Sequence, residues 1–306
     1  MGSTQHIVVD TDGGIDDALA LIHVARSPSV DLVAVGSVHG NVTTEAAAKN
    51  SLRSLELAGD NHAPVAVGAA APLTRQLKLR HPEDPFGSAA GAPSREPTSE
   101  SAAEQLVRLA RQRPGRLNLL TLGPMTNIAQ ALAMEPALPD KIGKVVAMAG
   151  AIASPGNITP VAETNVWNDP DAFKVVLTAG FDLTLVGLDV TRLATATPAW
   201  LQALAEDQTQ LWGQYAAALL GEHGEQLPAL PLHDPLAATV LIDPTVATLE
   251  PRTVAVSTSN EDLRGQLHIA RNGDPNAATV QVATAIDHSR FLDSLLDSLL
   301  PVRRDS

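Results

Sequence analysis

The chain has 306 residues, with 21 Lys+Arg against 34 Asp+Glu (formal net charge −13), 44% apolar and 18% charged residues, and no cysteine. The acidic balance argues against a nucleic-acid binder, which needs clustered cations. The lack of thiols excludes disulfides, zinc–thiolate sites, iron–sulfur clusters and a cysteine nucleophile.

Apolar, β-branched runs recur at residues 6–10 (HIVVD), 30–38 (VDLVAVGSV), 64–68 (PVAVG), 117–123 (LNLLTLG), 144–150 (KVVAMAG) and 182–190 (DLTLVGLDV). They are continuous rather than alternating, which predicts strands covered on both faces, as in a parallel sheet. Helical spacing fills the gaps. Residues 16–26 put Ala18, Leu19, Ile22 and Ala25 on one face, and 43–58 opens with Thr43 and Thr44, either able to cap. Residues 101–113, 125–134 and 170–179 read the same way. This alternation predicts an α/β fold, an open, doubly wound, mostly parallel sheet flanked by helices.

Further on, residues 198–221 read as one long helix, with Pro198 tolerated near its start, and 234–241 as a short one. Residues 251–257, 266–270 and 279–285 alternate and predict a small antiparallel appendage. Residues 288–300 line up Phe291, Leu292, Leu295, Leu296 and Leu299 as a terminal helix stripe. Residues 80–97, rich in proline, predict a long loop. No linker is evident, so one domain over residues 1–306 is expected. No apolar run approaches the ~20 residues of a membrane helix. Residues 1–9 show no basic stretch followed by an apolar one. A soluble cytoplasmic protein with no membrane partner is therefore expected.

The chemistry concentrates in VVDTDGGIDDALA, residues 8–20, where Asp10, Asp12, Asp16 and Asp17 surround a Gly13–Gly14 turn. Any one of them could be a carboxylate favoured by a helix N-terminus. Together, after an apolar strand, they face the crevice where open α/β sheets bind ligands. Carboxylates so close repel unless protonated or paired with a cation, and a hard divalent ion suits oxygen ligands. A strand ending in Asp-x-Asp-Gly also resembles the haloacid-dehalogenase phosphatases, a short match that predicts Mg²⁺ and an aspartyl nucleophile.

DTDGGIDDALAL, residues 10–21, resembles the opening signature of the inosine-uridine preferring nucleoside hydrolases, Asp-x-Asp-Pro-Gly-x-Asp-Asp-Ala. Further matches follow in order at 38–41 (VHGN), 121–129 (TLGPMTNIA), 145–150 (VVAMAG), 156–165 (GNITPVAETN) and 232–237 (LHDPLA). The resemblance implies Ca²⁺ held by Asp12, Asp17, Asp234 and the carbonyl of Leu122. It implies hydrolysis of the N-glycosidic bond of ribonucleosides to ribose and free base by a metal-bound water, with Asp12 as general base. Ribose recognition would fall to Asp16, Asn41, Asn157, Glu163 and Asn165, with Met148 packing near the sugar and Asp10 steadying the ligands from behind. His233, beside Asp234, is the first candidate to protonate the leaving base, and His81 the second. His223 and Tyr215 are weaker candidates for the other wall, and His39 reads as a strand-end residue. Phe86, Trp167 and Tyr215 are the nearest rings for a base.

A homodimer or homotetramer is expected by resemblance only. The few aromatics, 3% of the chain, favour pyrimidine or broad preference. Two departures matter. Gly13 replaces the signature proline, which frees φ. Pro82 and Pro85 replace two glycines of the family's base-side loop, His-Gly-x-Asp-Gly-x-Gly, in residues 81–87 (HPEDPFG). A nucleoside- or sugar-binding protein with weak or no turnover is the non-enzymatic alternative.

Overall fold

The structure, a computed structural model, describes residues 4–81, 91–206, 231–258, 261–271 and 273–300. The strands are β1 (Gln5–Thr11), β2 (Val30–Ser37), β3 (Val65–Ala66), β4 (Leu117–Thr121), β5 (Ile142–Ala147), β6 (Asp182–Leu185), β7 (Ala247–Val256), β8 (Leu267–Ile269) and β9 (Ala277–Ile286). They form one sheet in the order β3-β2-β1-β4-β5-β6-β9-β7-β8. Pairing is parallel from β3 through β6 to β9 and antiparallel where β7 meets β9 and β8. The expected antiparallel strands thus extend the main sheet at one edge.

Both faces are covered. Ile7 and Val9 point into one core and Val8 into the other, and on β4 Leu120 opposes Leu117 and Leu119 in the same way. That is why these runs carry apolar residues without alternation. The first core is closed by α1 (Ile15–Arg26), α9 (His233–Ile242) and α10 (His288–Leu299), through Leu19, Ile22, Leu236, Leu241, Phe291 and Leu295. The second is closed by α3 (Ala102–Gln112), α4 (Thr126–Met134) and α6 (Pro170–Leu177), through Leu106, Ile128 and Phe173. Burying Phe173, 1% exposed, contributes about 1.5–3 kcal/mol.

The helix starts follow local chemistry. Thr43, not Thr44, caps α2 (Thr44–Ala58), its hydroxyl accepting from Ala46 N at 3.3 Å. Ser101 and Glu104 form a reciprocal capping box on α3. Two expected strands differ. The run 64–68 pairs only over Val65–Ala66, at the sheet edge. The run 182–190 stops pairing as a strand after Leu185; Gly187 passes so near the Gly150 carbonyl that a Cβ would lie 2.6 Å from it, and Leu188–Thr191 turn into α7. A short apolar run cannot distinguish a buried strand from a buried helical turn. The segment 198–221 is helical over α8 (Pro198–Glu206); residues 207–230 lie outside the described residues. The motif 156–165 runs into an unexpected short helix, α5 (Thr164–Asn168). Among the described residues, no helix is long and apolar enough to cross a membrane.

Candidate active site

The strand order reverses between β1 and β4, and both strands run the same way. Ligands in open α/β sheets bind at the carboxyl ends of strands flanking such a reversal. β1 delivers Asp10, Thr11 and Asp12 there, β4 delivers Leu122, β5 delivers Met148, and the first turns of α1 and α9 add Asp16, Asp17 and Asp234. A cavity of about 410 Å³ opens above them. Asp16, Asn41, Leu122, Met148, Asn157, Glu163, Asn165, His233, Asp234 and His81 all line it. Asp12 and Asp17 lie beneath, 0% and 1% exposed.

Asp17 is fixed by its own loop. Its carboxylate accepts from the Thr11 hydroxyl, from Asp12 N at 3.2 Å and from Gly14 N at 3.0 Å. Asp12 is clamped by one residue, Asn41, whose backbone N and Nδ2 each donate to it at 2.8 Å. Gly40 permits this approach, since a Cβ there would lie 2.0 Å from Asp12 Oδ2. Asp16, Asp17 and Asp234 each offer an oxygen, all within 4.8 Å of one another. Burial holds Asp12 and Asp234 well above the usual carboxylate range; the neighbouring Asp17 adds to this for Asp12, and Asp16, Asp17 and Asp12 add to it for Asp234. Burial and the charge of Asp16 also raise Asp17.

Buried carboxylates that destabilise one another, all of them oxygen donors, fit a hard divalent cation. The structure brings Asp17 and Asp234 together with Asp16; Asp12, expected among the metal ligands, lies outside this group of mutually close oxygens. The Leu122 carbonyl already accepts from Asn165 Nδ2 at 2.8 Å and keeps its second lone pair.

The polar residues around the cluster are held from behind. Asn165 Nδ2 also donates to the Met148 carbonyl at 3.0 Å, tying together the ends of β4 and β5 and leaving its Oδ1 for a hydroxyl. Glu163 caps α5, its oxygens accepting from Asn165 N at 2.7 Å, Gly150 N at 3.0 Å and Val166 N at 3.1 Å. Burial raises its pKa, and those donors and the charge of Arg80 oppose the rise. Asn157 Oδ1 accepts from Thr164 Oγ1 at 3.0 Å. His233 Nδ1 hydrogen-bonds Thr191 Oγ1 at 2.7 Å, which leaves Nε2 for a ligand, and burial lowers its pKa.

Asp10 stands behind the cluster, accepting from Asn127 Nδ2 at 2.7 Å; burial pushes its carboxyl up to about 7. Its Oδ2 has no partner among the described residues, which suits a neutral acid. His39 is buried and bonded to Thr126 Oγ1 at 3.0 Å, and it does not line the cavity. Trp167 also lies outside the cavity wall, with the Arg264 guanidinium 4.0 Å from its ring centroid and Lys78 Nζ at 5.1 Å. Phe86, Tyr215, His223, Pro82 and Pro85 lie outside the described residues.

Sequence reasoning missed Asn127, Thr191, Thr164 and Arg80. Asn127 sits in one of the matched segments, where a polar residue amid apolar ones was a usable signal; Arg80 carried no pattern at all.

A family model described as inosine-uridine preferring nucleoside hydrolase matches residues 7–293. A probable uridine nucleosidase of Oryza sativa is 34% identical, covering 84% of this chain and 84% of its own length. A pyrimidine-specific ribonucleoside hydrolase of Shewanella woodyi is 34% identical over 97% of this chain and 98% of its own. Among solved structures, a plant nucleoside hydrolase superposes with a TM-score of 0.88 at 29% identity, covering 96% of this chain and 98% of its own.

Proposed function

The chain belongs to the inosine-uridine preferring nucleoside hydrolase family and is a nucleoside N-ribohydrolase; on that premise we propose that its substrates are pyrimidine ribonucleosides, uridine first, and that turnover depends on Ca²⁺. The observation that carries the reading is the convergence of Asp16, Asp17 and Asp234 at one cavity, with Asp12 held beneath it by Asn41. The names of the most similar relatives favour a pyrimidine.

Asp12, Asp17, Asp234 and the Leu122 carbonyl would hold the ion, with Asp16 in reach of the same cluster. A bound cation supplies Lewis acidity toward water and ribose oxygens. Asp12, oriented by Asn41, takes the proton of the attacking water. A bond forms between that water oxygen and C1′ as the bond from C1′ to the base nitrogen breaks. Positive charge accumulates on the sugar in such a transition state, and the carboxylates of Asp16 and Glu163 stabilise it. Asn157, Asn165 and Asp16 pair with ribose hydroxyls. His233 delivers the proton that the leaving base needs, and His81 at the rim is the alternative donor.

The test is base release from uridine, cytidine, inosine and adenosine, with Ca²⁺ and after chelation. Uridine is expected to be fastest, with activity lost on chelation and restored by Ca²⁺. Faster purine release would remove the pyrimidine assignment, and full activity after exhaustive chelation would remove the metal.

A further inference from the structure

The run 182–190 leaves the sheet after Leu185, and the chain from α7 onward reaches the residues around His233. The turn itself is anchored. Leu188 N donates to the Gly150 carbonyl at 2.8 Å, and Asp189 accepts from Ile152 N at 3.0 Å and Ala153 N at 2.6 Å. Arg192 Nη2 donates to the Gly156 carbonyl at 2.7 Å, beside Asn157 of the cavity wall. From this fixed turn Thr191 Oγ1 hydrogen-bonds His233 Nδ1 at 2.7 Å. A few residues on, Leu232 N donates to the Ala194 carbonyl at 2.7 Å, and Thr195 bridges Pro231. One segment therefore holds His233 twice, through the backbone before it and through its ring.

Thr191 is fully buried, and among the described residues His233 is the one hydrogen-bond partner of its hydroxyl. That decides which nitrogen of the neutral imidazole carries hydrogen. With hydrogen on Nδ1, the hydroxyl would accept, and its own hydrogen would be buried without an acceptor, which costs free energy. With Nδ1 bare, the hydroxyl donates to it and both groups are paired. The hydrogen then sits on Nε2, the nitrogen left for the cavity that His233 lines.

Building on the nucleosidase reading above, we propose that Thr191 is a positioning residue, which holds the His233 ring with its hydrogen on Nε2 and so makes it the donor to the leaving base. As the bond from C1′ to the base nitrogen breaks, its electron pair goes to the base. The Nε2 hydrogen meets that charge with a charge-assisted hydrogen bond. The charged ring completes the step by giving its Nε2 proton to the base and becoming neutral. Solvent recharges the ring and receives the proton that Asp12 took from water. In the charged ring both nitrogens carry hydrogen; the same hydroxyl then accepts from Nδ1, and the ring keeps its place.

Thr191→Val keeps the shape of the side chain and removes the hydroxyl, whereas Thr191→Ser keeps the hydroxyl. Both are assayed beside the parent, with Ca²⁺, on uridine and on 4-nitrophenyl riboside, whose leaving group departs as a stable anion without a proton. Thr191→Val is expected to lose about 10–100-fold in kcat on uridine and little on the nitrophenyl riboside, and Thr191→Ser to recover most of the loss. Ring ¹⁵N NMR of the neutral imidazole, with His233→Gln identifying the His233 signals, should show hydrogen on Nε2 in the parent and a mixture of tautomers in Thr191→Val. Equal losses on the two substrates would mean a merely structural role. Unchanged uridine turnover in Thr191→Val would leave His81 as the donor. Either result, a serine variant as slow as the valine variant, or hydrogen on Nδ1 in the parent overturns the proposal. A parent that releases no base from any nucleoside, with the tautomer change still present in Thr191→Val, would keep the hold on His233 and sink the nucleosidase reading.

Discussion

Gly13 replaces the proline of the family signature, so a consensus argument would restore proline and expect a stiffer, more stable loop. The structure predicts the opposite. Gly13 has φ +74°, and a Cβ there would lie 2.5 Å from Ala47 Cα and 2.7 Å from its Cβ. Proline holds φ near −65°, so the backbone would have to rotate by roughly 140°. It would also lose the N–H that donates to Thr11 Oγ1 at 3.3 Å, and it would disturb the carbonyl that accepts from Asn50 Nδ2 at 3.1 Å. Gly13→Ala isolates the first part of the cost: about 1–2 kcal/mol for a left-handed backbone, plus about 1–3 kcal/mol for crowding α2. The expected loss is about 2–5 kcal/mol, and Gly13→Pro should lose at least as much. Urea unfolding followed by circular dichroism measures it; with a slope near 3 kcal/mol per molar, a 3 kcal/mol loss moves the midpoint by about 1 M. Because the loop lies between Asp12 and Asp17, affinity for the Ca²⁺ proposed above should fall with stability. A Gly13→Pro protein as stable as the parent would refute the positive φ and the packing argument with it.

Three further outcomes are expected. Asp12→Asn leaves one acceptor for the two Asn41 donors, so one of those contacts is lost, and it removes the base proposed above, so kcat should fall by about 10²–10⁴ with a stability loss of about 1–3 kcal/mol; a rate within threefold of the parent would remove its role. Asn127→Ala deletes bonds to Asp10, the Ser37 carbonyl and Ala69 N, leaving buried groups unpaired at a cost of about 2–4 kcal/mol; a midpoint change worth less than 1 kcal/mol would contradict that count. Burial pushes His23, which is bonded to Ser298 and Thr239, down to about 4. Its folded pKa lies below the usual 6.5, so the unfolded chain binds the extra proton between these values. Stability from this group is whole above pH 6.5 and is lost as pH falls toward 4, by at most about 3 kcal/mol. His39, also near 4, titrates in the same window, so the readout is the difference in pH slope between parent and His23→Gln; identical slopes would count against the burial effect.

The order of strands and helices was legible because doubly covered strands must be apolar without alternation and their helices must repeat every three to four residues. Residues 5–11, 117–121 and 142–147 show it best, each falling on or near an expected run. The site was legible where its groups are close in sequence, as in Asp10, Asp12, Asp16 and Asp17, since mutual repulsion of clustered carboxylates needs no tertiary knowledge. The family resemblance, not periodicity, brought Asp234, Glu163 and Asn165 into view.

What only tertiary structure decided is how remote polar groups meet. The clamp of Asn41 on Asp12, the bonds from Asn127 to Asp10 and from Thr191 to His233, and the seat of Arg80 on Thr164 all join separate elements. A hydrogen bond acts over about 3 Å, and the packing of helices on a twisted sheet sets that separation, whatever the spacing along the chain. The backbone of Gly13 follows the same logic. Its composition permits either sign of φ, and the approach of α2 selects the positive one.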